Sequence, residues 1–203
     1  MSDEENTEDI KIILLGESGV GKTNLINVLL DKPFIKDSHS SLSTSYSKGT
    51  FNYKNKEYPY TLWDTAGQES YRSLNKFFIR QSNLVFFVFS IDNAQSFSEL
   101  DYWINSAKQE LDENCVMAIL GNKYDLYEDQ KVSEKEVENY AKKQGMKFKF
   151  TSAISDVYGL KKFFNELILD YIKGNFSQSA KNNKDQIKDI ALMQPKKKKK
   201  KFC

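Results

Sequence analysis

Apolar residues follow two alternating rhythms along this chain. Near-continuous apolar runs at 10–15 (IKIILL), 84–90 (LVFFVFS) and 115–121 (CVMAILG) have the pattern of strands covered on both faces. Strand signals also fall near 44–53, 57–63 and 147–151, and a short polar turn around Lys54–Lys56 joins the first two as a hairpin. Apolar positions at helical spacing predict helices near 22–30, 70–80, 96–111, 133–144 and 157–173. The last is the clearest, with Val157, Leu160, Phe163, Phe164, Leu167, Ile168, Tyr171 and Ile172 on one face. Helix alternating with strand predicts a doubly wound α/β domain. Its six-stranded, mostly parallel sheet would carry helices on both faces and ligands beyond the carboxyl ends of the strands.

The rhythm dissolves after Lys173, which divides the chain into an acidic flexible N-terminus (1–9), a folded domain (10–173) and a disordered tail (174–203). Charge divides the same way. From Gly174 onward there are nine lysines and two aspartates, a net of +7, whereas the first 173 residues hold 21 Lys+Arg against 26 Asp+Glu, a net of −5. An acidic body argues against a broad nucleic-acid-binding face, and the basic tail seeks an anionic surface. Two cysteines, Cys115 and Cys203, provide no disulfide framework. Met1–Asp9 carries five acids and no apolar core, so it does not read as a signal peptide. The longest uninterrupted apolar run, Leu84–Phe89, is too short to span a bilayer, and a monomer on the cytosolic side is expected.

Between the first strand and the first helix stands Gly16-Glu17-Ser18-Gly19-Val20-Gly21-Lys22-Thr23, a complete G-x-x-x-x-G-K-[ST] phosphate loop in its required setting. The glycines let backbone N–H groups converge on phosphate oxygens, and the positive end of the following helix favours the negative charge. Lys22 can reach β- and γ-phosphates, and the Thr23 hydroxyl can ligate Mg²⁺. The plain alternative is a Gly-rich strand-to-helix turn.

Asn122-Lys123-Tyr124-Asp125 follows the strand at 115–121. A carboxylate in the plane of a purine accepts from guanine N1 and the 2-amino group. Adenine has no such donor pair and would leave the acceptor unpaired. A solvated polar turn is the rival reading. Trp63-Asp64-Thr65-Ala66-Gly67-Gln68-Glu69 closes another strand. Asp64 is placed to hold Mg²⁺ through water, the Gly67 N–H to approach the γ-phosphate and Gln68 to orient an attacking water.

Over residues 10–173 these segments resemble the Ras superfamily of small GTPases, and the WDTAGQES, YRSL and GNKYDL strings are most similar to its Rab branch. The resemblance implies GTP and GDP as ligands, Mg²⁺ as cofactor, and slow hydrolysis carried by Gln68, Lys22 and Gly67. Turnover would be roughly 10⁻⁴ s⁻¹, since no internal arginine finger is evident. It also implies a switch residue eighteen positions after Thr23, which is Ser41, as an Mg²⁺ ligand beside Thr23 and Asp64. The Ser-rich surroundings leave Thr44 as the alternative, or simply a mobile loop. Phe34 falls where the family sets an aromatic ring against guanine, though loop packing after Pro33 would also account for it. Thr151-Ser152-Ala153 matches the third base-contacting loop, whose backbone N–H groups meet the guanine 6-oxygen, but the usual following lysine is Ile154. Tyr46, Trp63 and Phe78 fall on the Rab partner-facing aromatic triad. Exchange factors, GTPase-activating proteins and effectors would meet residues 38–50 and 67–80.

In the tail, Lys196–Lys201 precedes Phe202 and Cys203, and no C-a-a-X box is present. Rab-type chains carry prenylated cysteines at or near the end, usually two, so a single geranylgeranyl chain on Cys203 is implied. One lipid binds marginally, and lysines near an anionic leaflet add about 1 kcal/mol each before screening. A nuclear-localisation-like run or a solubilising tail are the alternatives. The expectation is a Rab-like GTP/GDP switch that recruits effectors in vesicle trafficking, at the cytoplasmic face of an intracellular membrane and cycling with cytosol. Rivals are a guanine-nucleotide-binding scaffold with little hydrolysis, a Ras-type signalling switch, and an ATP-dependent transferase that Asp125 disfavours.

Overall fold

Strand β4 (Leu84–Ser90) is buried at all seven positions, as its unbroken apolar run requires of a strand with a layer on each face. The computed structural model describes residues 9–36, 44–65 and 77–192, with side chains described as far as residue 174. Around β4 lie β1 (Ile10–Leu15), β2 (Ser45–Tyr53), β3 (Lys56–Asp64), β5 (Val116–Asn122) and β6 (Lys147–Phe150), in the order β2-β3-β1-β4-β5-β6. The pairs β1–β3, β1–β4, β4–β5 and β5–β6 are parallel, and only β2–β3 is antiparallel. The six-stranded, mostly parallel sheet expected from the apolar pattern is the one found.

Among the described residues the helices include α1 (Lys22–Leu29), α2 (Ala94–Ser98), α3 (Leu100–Lys108), α4 (Glu134–Gln144) and α5 (Val157–Leu192), with a 3₁₀ segment at Tyr124–Asp129; most of the helix expected near 70–80 lies outside the described residues. On one side of the sheet, Ile13, Leu15, Phe87 and Phe89 pack in one cluster with Trp103, Ile104, Val137 and Ala141. On the other, Phe164 meets Tyr60 edge-on at 5.4 Å between centroids and stacks on Phe86 at 5.9 Å. Period-two alternation along β1 and β4 produces this division. Cys115 is half-buried, and burial, followed by Asp112, pushes its thiol up to about 12, so it packs rather than reacts.

Local chemistry sets the boundaries. Lys54 and Asn55, with φ of 50° and 61°, form the two-residue turn between β2 and β3 that matches strand twist. The helix expected over 96–111 is two helices meeting at Glu99, the first capped by Asn93, which accepts from the Ser96 N–H at 3.2 Å. Ser133 caps α4, and Gly145 ends it in the left-handed region at φ 70°.

The chain divides into two units, Met1–Tyr171 and Ile172–Cys203. The first contains the whole sheet. In the second the backbone is helical to Leu192, beyond Lys173 where apolar periodicity stops. No proline interrupts that stretch before Pro195.

Candidate nucleotide site

The carboxyl ends of β1, β3 and β5 deliver the phosphate loop, Asp64 and the 122–125 loop to one end of the sheet. Gly16 leaves β1 where a side-chain carbon would collide with the Val88 carbonyl oxygen, and one at Gly21 (φ 94°) would strike the Asn122 amide. Only glycine lets the loop pass this close to two strands. Lys22, 6% exposed, donates to the carbonyl oxygens of Gly16 and Glu17, each at 2.8 Å. Burial pushes its ammonium down to about 8, opposed by the nearby carboxylates of Asp64 and Glu17. Ser18, Gly19 and Val20 complete the loop, with Val20 buried.

Asp64 ends β3 at 6% exposure, and its Oδ2 accepts from the Thr23 hydroxyl at 2.7 Å. A hydroxyl and a carboxylate side by side are hard oxygen donors, the type that suits Mg²⁺, an ion that is otherwise held by water and substrate phosphates. These residues fit that ion. The adjoining Thr65 hydroxyl donates to Leu14 O at 2.6 Å and fixes the end of β3 against β1.

Asn122, 2% exposed, donates from Nδ2 to Val20 O at 2.8 Å and ties the end of β5 to the phosphate loop. Lys123 takes left-handed backbone (φ 62°), which turns the chain so that Tyr124 N–H reaches Thr151 O at 3.0 Å. Asp125 accepts from the buried Ser152 hydroxyl at 2.5 Å. That same hydroxyl oxygen accepts from the N–H groups of Ile154 and Ser155, both at 3.0 Å, and shapes the turn that contains Ala153. Asn122 Oδ1 and Thr151 Oγ1 are buried with no hydrogen-bond partner among the described residues. Such atoms call for a ligand or water.

Phe34 is held close by through Asn24, whose side chain exchanges two hydrogen bonds with the Ile35 backbone, each 2.9 Å. Phe34, Ala153 and Ile154 line one cleft of about 330 Å³ with Val28, Asp31, Lys32 and Val157. Ser41, Gly67, Gln68 and Cys203 lie outside the described residues, as does Lys196–Lys201. Thr44 is half-buried just before β2, and its neighbour Ser45 is the register partner of Asp64. The choice between Ser41 and Thr44 stays open.

The Ras family model matches residues 11–183. The chain belongs to the Ras family. Among similar proteins, "Ras-related protein RABA2a" of Arabidopsis thaliana is 30% identical over 166 residues, which span 82% of this chain and 76% of that protein. "Ras-related protein Rab5A" of Oryza sativa subsp. japonica is 30% identical, covering 84% of this chain and 83% of its own. "Ras-related protein Rab-21" of Geodia cydonium is 35% identical, covering 82% and 71%. This Ras-family chain is a Rab-like small GTPase, a guanine-nucleotide switch of membrane trafficking.

On this GTPase the rings of Tyr46 and Trp63 lie 5.3 Å apart and those of Trp63 and Phe78 5.7 Å apart, a continuous aromatic patch crossing β2 and β3. Sequence reasoning missed Asn24, Thr65 and the Ser152 hydroxyl's double role. It also missed Trp103, whose indole N–H donates to Glu17 Oε1 at 3.1 Å. The only available signal was that a buried indole needs an acceptor.

Proposed function

We propose that this Rab-like GTPase hydrolyses GTP slowly on its own and faster with a partner, using the phosphate loop, the Thr23–Asp64 pair and the 122–125 loop as one site. The observation that carries this is the 2.7 Å Thr23–Asp64 contact beside a nearly buried Lys22. When bound, Mg²⁺ supplies charge neutralisation on the phosphate oxygens. Thr23, Asp64 and Ser41, with Thr44 as the alternative to Ser41, would hold it. Lys22 exchanges its two carbonyl acceptors for phosphate oxygens, the Gly67 N–H meets the γ-phosphate, and Gln68 orients the attacking water. Asp125 reads guanine, Asn122 keeps the base loop on the phosphate loop, Ser152 and Ala153 present backbone N–H groups, and Phe34 covers the ring.

None of the residues given these roles is an arginine, so a GTPase-activating partner supplies one. Residues 38–50 and 67–80 receive that partner, the exchange factor and the effectors; Tyr46 and Phe78 belong to these segments, and Trp63 packs against both rings. Lys196–Lys201 draws the chain to an anionic leaflet, and a prenyl group on Cys203 adds the second attachment.

Single-turnover GTP hydrolysis by the full chain with Mg²⁺, with and without cell extract, tests this. A slow intrinsic rate that the extract raises, and that Gln68→Leu no longer lets it raise, is the expected result. Tight GTP binding without hydrolysis in either arm would leave a guanine-nucleotide scaffold instead.

A further inference from the structure

Helix α3 buries a stripe of Leu100, Trp103, Ile104 and Ala107. Three of these need only apolar neighbours. Trp103 is 1% exposed in the cluster with Ile13, Leu15, Phe87 and Phe89, and its buried N–H requires an acceptor. That acceptor is Glu17 Oε1, 86 positions earlier and inside the phosphate loop, at 3.1 Å. Leucine or phenylalanine would serve as apolar filling, but neither would give the loop a donor.

Glu17 is also held through its backbone, because its carbonyl oxygen accepts from Lys22 Nζ at 2.8 Å. A single loop residue is thus gripped by a core helix through its side chain and by the phosphate-binding lysine through its main chain. The indole bond keeps the Glu17 carboxylate turned toward α3 and so anchors the start of the loop to the core.

We propose that Trp103 is a positioning residue of the phosphate loop, which parks the Glu17 carboxylate against α3 and thereby slows nucleotide release. This rests on reading the loop as a guanine-nucleotide site and adds to it a residue from outside every nucleotide motif. Loss of the bond removes the indole's hold on Glu17 and loosens the first turn of the loop.

The test is the release rate of N-methylanthraniloyl-GDP from the full chain, with Mg²⁺ and excess unlabelled GDP. Trp103→Phe and Glu17→Ala are each expected to speed release roughly tenfold, as for one hydrogen bond to a charged group. The double variant is expected to release no faster than either single one, because both remove the same contact. Glu17→Gln, whose amide oxygen still accepts from the indole, recovers most of the loss. Multiplying effects in the double variant, or unchanged release from Glu17→Ala, would overturn the proposal and make Trp103 a core filler only. Should Trp103→Phe not fold, its emission decides in a Trp63→Phe chain loaded with unlabelled GDP. Glu17→Ala shifts that emission and Glu17→Gln restores it, and an unshifted spectrum overturns the coupling. A parent chain that retains no labelled GDP would instead refute the nucleotide site itself.

Discussion

At the phosphate end of the site two ionisable groups lie almost out of water, Lys22 and Asp64, each 6% exposed. At the base end the ionisable group, Asp125, is only half-buried, and the residues fully withdrawn from water, Asn122 and Ser152, are neutral. The first arrangement costs desolvation and is balanced by the protein's own groups: the Gly16 and Glu17 carbonyls accept from Lys22, and the Thr23 hydroxyl donates to Asp64. The second costs little and relies on placement, since one serine hydroxyl sets both the Asp125 carboxylate and the Ile154–Ser155 turn. Charge at one end should therefore govern how tightly any nucleoside triphosphate is held. Geometry at the other should govern which base is accepted.

The sharpest way to break this contrast is Lys22→Ala. Removing one partner of a buried charged contact costs roughly 2–5 kcal/mol, so GTP, ITP and XTP should all weaken by about 10²–10³-fold together. Equilibrium titration that finds a base-dependent loss would merge the two ends. Next in size is a pH effect on the nucleotide-free chain. The folded pKa of Lys22 is about 8 against an ordinary 10.5. Between those values the unfolded chain holds a proton that the folded one has lost, so stability rises with pH across that window. Below pH 8 the full penalty, on the order of 3 kcal/mol, is present. Lys22→Met should accordingly be more stable than the parent at pH 7 by urea unfolding, with the gap closing toward pH 10; a constant gap would show that Lys22 keeps its ordinary pKa.

At the other end, Asp125→Asn should lower GTP affinity by about 10–100-fold and raise XTP affinity, because an amide donates where the carboxylate accepted. Unchanged GTP binding in competition assays would remove Asp125 from base reading. The smallest effect belongs to Ser152→Ala. It deletes one donor and a shared acceptor, and should cost about 1–2 kcal/mol of stability with a several-fold loss of GTP affinity. A loss as large as that of Asp125→Asn would mean that the hydroxyl, rather than the carboxylate, carries the discrimination.

The parts of this site legible in the sequence are those where chemistry demands certain residue types at fixed spacing. The phosphate loop, Asp64 and the Asn122–Asp125 loop are of this kind, and the strands that deliver them announce themselves as buried apolar runs. What stayed hidden are contacts whose partners no spacing encodes. Thr65 reaches Leu14 across 51 positions, and Trp103 reaches Glu17 across 86. Trp103 reads as core because it sits on an apolar stripe, and only the fold shows where its N–H goes. The division at Glu99 stayed hidden because the apolar spacing runs on through it. Past Lys173 the helix continues on backbone propensity without an apolar face to announce it.

The β2–β3 hairpin has a practical consequence. Its register runs from Ser45 opposite Asp64 to Tyr53 opposite Lys56, a ladder roughly 27 Å long at the usual rise per residue. One end is the carboxylate of the chemistry, and the other is a two-residue turn, Lys54–Asn55, at the margin of the sheet. A dye, a tether or a short peptide spliced into that turn would be carried far from the phosphates by a rigid ribbon. The molecule has a natural handle there by which it could be immobilised or tracked while it turns over.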